Sequence, residues 1–185
     1  WRKRLAHFLT QHFSSLKTKQ TSLPHRRYLA HGFYLPAFKP ETKIDLQIFV
    51  DLSGSISDEI LGHFISEVKS ILKTLKPEKL LIYGFSDKLT KPYSLTSLSD
   101  FKGLLEGLKS GGSTYYAPIH EKLSKGLNLI FTDGFFFDDP RQFKMKPETK
   151  IIWVMEEMYI PEFKSTYGTK NDCFIPYTRP KASTD

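Results

Sequence analysis

The apolar positions change their period several times along the chain, and each change marks an element. "WRKRLAHFLTQHF" sets Trp1, Leu5, Phe8, Leu9 and Phe13 at helical spacing, with basic residues turned outward. The next stretch, "SSLKTKQTSLPHRRYLAHGFYLPAF", holds no period. Pro24, Gly32 and Pro36 interrupt it, so an irregular arm is predicted, with Tyr28, Phe33, Tyr34 and Phe38 laid on the main body. From Ile44 the pattern changes. "KIDLQIFVD" reads as a strand buried on both faces toward its end. A helix follows, with Ile60, Leu61, Phe64, Ile65, Val68, Ile71, Leu72 and Leu75 on one face and Pro77 as its stop. "KLLIYGFS", "GLNLIFTD" and "KIIWVMEE" are three more buried strands. A short edge strand is expected between Pro92 and Leu95, and "SLSDFKGLLEGLK" is expected to be helical.

Strands that alternate with helices, in apolar runs that end on polar residues, predict an α/β fold with a mostly parallel sheet. Two regions follow: a basic N-terminal helix and extended arm over residues 1–43, and the α/β domain proper over 44–185. In such folds ligands bind beyond the C-terminal ends of the strands. Asp51, Asp133 and the loops beside them are therefore the positions to inspect.

Composition narrows the class. With 39% hydrophobic and 14% aromatic residues the chain can build a core, which argues against disorder. No apolar run is long enough to span a membrane. The net charge of +7 is uneven: residues 1–43 hold nine Lys/Arg against one acid, and the remainder is nearly balanced. Nucleic-acid contact by that arm is one reading; solvated charge on a packed extension is the other. The single cysteine, Cys173, excludes an internal disulfide, suits a reducing cytoplasmic setting and reads as a small packed residue. The chain opens on Trp1, as a piece of a longer protein would.

Three short stretches carry the candidate chemistry. "DLSGS" brings Asp51, Ser53 and Ser55 after the first buried strand, "GGST" brings Thr114 in a loop ahead of a short helix, and "FTDG" brings Asp133 after another strand. Two carboxylates and three hydroxyls are hard oxygen donors, suited to Mg2+ or Mn2+ and not to zinc or copper. Alternate residues in an extended turn point the same way, so Asp51, Ser53 and Ser55 can face one point, with Gly54 allowing a close turn. Ser55 or Ser57 can cap the next helix, whose first turn carries Asp58 and Glu59. That helix N-terminus disfavours a cation and welcomes a partner's carboxylate. Neutral hydroxyl ligands leave an ion with charge still to be satisfied.

"DLSGS" at 51–55, Thr114 and "TDG" at 132–134 together resemble the metal-ion-dependent adhesion site of von Willebrand factor A (VWA) domains. The resemblance implies a Rossmann-like three-layer sandwich with a mostly parallel sheet flanked by helices. It implies Ser53, Ser55 and Thr114 as inner ligands of Mg2+ or Mn2+, with Asp51 and Asp133 as charge-bearing supports. It also implies a protein partner that completes the coordination with Asp or Glu. "WRKRL", "RRYL", "GFYLP", "GGSTYYAPIHE" and "IIWV" extend the similarity to bacterial VWA-like proteins associated with metallopeptidases, among which AAA-type ATPases are common neighbours. Such an ATPase is thus an expected partner.

Other chemistries find less support. No HExxH occurs, since "HEK" at 120–122 lacks the second histidine, and no GxxxxGK[ST] phosphate loop is present. No pattern pairs a serine with a histidine. A magnesium-dependent phosphohydrolase is the alternative that the two carboxylates allow. "GFFFDDP" follows Asp133 directly, and three consecutive phenylalanines cannot all point inward. Phe135 and Phe136, with Tyr115 beside Thr114, are read as a partner-binding rim; packing within the body is the competing reading.

Overall fold

The computed structural model describes residues 2–15, 17–24, 31, 36–40, 45–75, 79–95, 112–124, 126–144, 149–170 and 172–177. The helix expected over 97–109 lies outside these residues, as do Tyr28, Phe33, Tyr34 and the Pro77 stop.

Six strands form one sheet in the order β5-β4-β3-β6-β7-β8. They are β3 (Asp45–Asp51), β4 (Lys79–Phe85), β5 (Tyr93–Leu95), β6 (Leu127–Phe131), β7 (Lys150–Glu156) and β8 (Cys173–Tyr177). All neighbours run parallel except β5, which pairs antiparallel with β4 at the edge. The alternation of side chains divides the core in two. Leu46, Ile48 and Val50 of β3 face one side with Leu129 and Phe131 of β6 and Ile152 and Val154 of β7. Phe49, Ile130, Trp153 and Met155 face the other.

Helix α2 (Asp58–Leu75) covers the first side through Ile60, Leu61, Phe64, Ile65, Val68 and Ile71. Helices α3 (Ala117–Lys122) and α4 (Ile160–Tyr167) cover the second through Ile119 and Phe163. The two crossovers explain this division. From β3 through α2 to β4 the chain moves toward one edge; from β7 through α4 to β8 it moves toward the other. Right-handed crossovers in opposite directions must place their helices on opposite faces. The result is the three-layer α/β sandwich expected.

Helix α1 (Arg2–Ser15) packs on the first face, where Leu5 and Leu9, one turn apart, are fully buried among the side chains of α2. Arg2 approaches Glu67 of α2 at 3.5 Å and His63 at 3.2 Å. Burial pushes the Glu67 carboxyl up, and Arg2 works against that shift. The arm that follows departs from the irregular course predicted for it. Strands β1 (Lys17–Pro24) and β2 (Pro36–Pro40) pair antiparallel, with a register shift between Gln20 and Pro24. The reason lies in the prolines themselves. Pro24 and Pro36 stand opposite each other where the strands meet their connecting loop, and bound the strands instead of breaking them.

Candidate metal centre

Sheet order brings the predicted site residues together. β4 lies on one side of β3 and β6 on the other, so the chain direction across the sheet reverses at the β3–β6 boundary, the switch point where α/β sheets open a crevice. The register pairs Val50 with Phe131. The residues that follow, Asp51 and Thr132, therefore meet at the strand ends.

The contacts there form a chain of oxygens. Asp51 is fully buried; its Oδ1 accepts from the Ser53 amide at 2.8 Å and its Oδ2 from the Thr132 hydroxyl at 2.6 Å. The hydroxyls of Ser53 and Ser55 lie 2.9 Å apart, and the Ser55 hydroxyl donates to Oδ2 of Asp133. Oδ1 of Asp133 accepts from the Phe135 amide at 3.1 Å. Ser57 caps α2 by accepting from the Ile60 amide at 3.4 Å, which leaves Ser55 free to face Asp133.

Thr114 is buried in a loop pinned from three directions. The Gly54 amide donates to the Gly112 carbonyl at 3.4 Å, the Tyr115 amide to Ser86 at 3.0 Å, and the Phe137 amide to Thr114 itself at 2.9 Å. Gly54 is less demanding than its sequence context suggests: its φ is not positive, and no described atom lies within 4 Å of where a Cβ would stand. The glycines that need their conformation are Gly112, with φ at +99°, and Gly134, at +93°.

The electrostatics are unusual for a pair of acids. Burial pushes the Asp51 carboxyl up to about 6, against the pull of its bonds to Thr132 and Ser53, and the Asp133 charge adds to the rise. Among the described residues, no Lys or Arg forms an ion pair with Asp51 or Asp133. Two buried carboxylates with only neutral donors are short of positive charge. Oxygen-only donors, two of them acids, match the preferences of a hard divalent cation. Among the described residues, no group of three His, Cys, Asp or Glu side chains could hold a metal by itself, so any ion here would rest on hydroxyls as well.

Two residues without a role in the sequence reading support this arrangement. Thr132 bridges, donating to Asp51 while accepting from the Gly134 amide at 3.0 Å. Asp138 accepts from the amides of Tyr116 and Ala117 at 2.6 and 2.7 Å, fixing the start of α3 beside Thr114. The phenylalanine triplet divides. Phe136 turns inward and is half-buried, stacking on Phe85 and packing against Tyr116, Trp153 and Phe163, and it also lines the groove beside Asp133. Phe135 and Phe137 stay out, and Tyr115 pairs with Phe137 at 5.8 Å. The strand alternation that would have assigned these side chains ends at Phe131, before the triplet begins.

An open, mostly parallel three-layer sandwich with an acid–hydroxyl cluster at its switch point is the class that fold and site define. Comparison with known families narrows it: residues 46–170, more than half of the chain, match the VWA-like domain family DUF2201, and the chain belongs to that family. No curated protein matches. Among solved structures, the crystal structure of the SpRpn10 VWA domain is similar at 13% identity and a TM-score of 0.49, over 74% of this chain and 89% of that one. Among the described residues, no helix is long and apolar enough to cross a membrane.

Proposed function

We propose that this domain is a protein-binding module that uses a divalent cation to capture a carboxylate of its partner. Ser53, Ser55 and Thr114 would hold Mg2+ or Mn2+, with Asp51 and Asp133 supplying the negative charge. The observation that carries this reading is the hydrogen-bonded line from Asp51 through Ser53 and Ser55 to Asp133, two buried acids with no described basic partner. A bound cation would offset both acids, and neutral hydroxyl ligands would leave it charge with which to attract an Asp or Glu. The positive end of α2, which begins three residues after Ser55, favours the same carboxylate. A protein partner such as an AAA-type ATPase, in the cytoplasm, fits the family resemblance.

Calorimetric titration with Mn2+ and Mg2+ tests the reading. Saturable binding that Asp51→Ala and Ser53→Ala both abolish supports it. Absence of binding in the native chain, with and without an acidic peptide, rejects it. The phosphohydrolase alternative requires metal-dependent turnover of a phosphate ester that Asp51→Ala eliminates. Nucleic-acid binding by residues 1–43 requires salt-sensitive association that survives removal of metal.

A further inference from the structure

Four large apolar side chains are exposed among the described residues: Tyr115 (38%), Phe135 (59%), Phe137 (72%) and Met158 (71%). They are not scattered. Tyr115 sits on the Thr114 loop, Phe135 and Phe137 follow β6, and Met158 follows β7, so all four occupy the end of the sheet that carries the acid–hydroxyl cluster. Single exposed apolar residues are ordinary, but several gathered around one polar point mark a contact surface.

Beside them lies a groove of about 170 Å³ that Asp133 itself lines, between the 133–136 turn and α4. Its walls include Phe135, Tyr159 and Phe163, and the Phe135 and Tyr159 rings meet edge to face at 4.9 Å. At this size it is smaller than the roughly 300–1,000 Å³ typical of small-molecule pockets and suits one side chain. Glu162 stands in the wall of the groove. With the Asp133 charge offset by the cation and Glu162 in the wall, a second acid entering the groove meets the like charge of Glu162, and an apolar side chain does not.

We infer that the partner presents its metal-seeking carboxylate within an apolar segment, with a leucine-like side chain next to the acid seated in the groove between Asp133 and α4. This rests on the cation-mediated reading above and specifies what surrounds the captured acid. Apolar contact supplies affinity that a lone carboxylate on a hydrated ion lacks, and the charge of Glu162 rejects polyacidic sequences.

Three capped tripeptides titrated into the Mn2+-loaded chain provide the test: Leu-Glu-Leu, Gly-Glu-Gly and Glu-Glu-Glu. Leu-Glu-Leu is expected to bind about tenfold tighter than Gly-Glu-Gly, as burial of one apolar side chain allows. Phe135→Ser, which keeps the backbone amide that Asp133 accepts from, should erase that advantage in a chain whose Mn2+ loading is checked by the same titration. Glu162→Gln should improve Glu-Glu-Glu selectively. Equal affinity for Leu-Glu-Leu and Gly-Glu-Gly, or an advantage untouched by Phe135→Ser, overturns the inference while Mn2+ binding persists. Failure of Mn2+ itself to bind rejects the cation reading and this inference with it, and the metal titration alone reveals that case.

Discussion

Thr132→Val removes one hydroxyl and little else, because valine keeps the shape of threonine. The side chain is buried, so no water replaces what is lost. Two bonds disappear: the 2.6 Å donation to Asp51 and the 3.0 Å acceptance from the Gly134 amide. A hydrogen bond to a charged group contributes about 1.5–3 kcal/mol and a neutral one about 0.5–1.5 kcal/mol, so the variant should lose roughly 2–4 kcal/mol. Urea unfolding with EDTA at pH 8, where Asp51 is ionised, measures this directly. The penalty should shrink near pH 5, because a protonated Asp51 gains less from the hydroxyl. Thr132→Ser keeps the hydroxyl and should cost only about 1 kcal/mol for its missing methyl. A Thr132→Val chain within about 0.5 kcal/mol of the native one, or a penalty that does not depend on pH, would refute the claim that Thr132 braces an ionised Asp51.

Three further outcomes follow from the same geometry. Asp51 holds its proton more tightly when folded, at about 6 against an ordinary 3.8. Its contribution therefore lowers the stability of the metal-free chain as pH rises from about 4 to about 7, by roughly 3 kcal/mol in all; urea titrations in EDTA should show that slope, and Asp51→Asn should remove it. Gly134→Ala forces a side chain onto φ of +93° and presses on the flexible end of Met155, so it should cost about 1–2 kcal/mol of stability and weaken Mn2+ binding by displacing Asp133. Asp138→Ala strips two amides at the start of α3 of their acceptor and should cost about 2–3 kcal/mol by denaturant melt. Its Mn2+ affinity should fall too, because Thr114 precedes those amides.

The central strands were legible because parallel strands buried on both faces read as unbroken apolar runs, and such runs end where a polar residue must serve another purpose. Asp51 and Asp133 stood out for that reason. Helix α4 and strand β8 went unread. Pro161 is tolerated in the first turn of a helix, and Pro176 sits on a strand that, among the described residues, pairs only with β7, where a missing N–H is tolerated. Ile160, Phe163 and Tyr167, at helical spacing, were the signal that could have revealed α4. The bracing by Thr132 and the capping by Asp138 depend on partners far along the chain, and no local periodicity carries such information. Which phenylalanine turns inward was equally hidden, since Phe136 finds its place only once Phe85 and Trp153 are assembled beneath it.

The line of oxygens also bears on how the chain folds. Ser55 meets Asp133 across 78 positions of sequence, and Thr132 meets Asp51 across 81. Contacts so distant form only after long loops have closed, and an unfolded chain holds no partial copy of them. An ion that recognises this cluster would therefore recognise only the finished domain. Each increase in its concentration would then draw the population toward the native state. Capture of a partner's acid would thus also certify that the domain doing the capturing has folded.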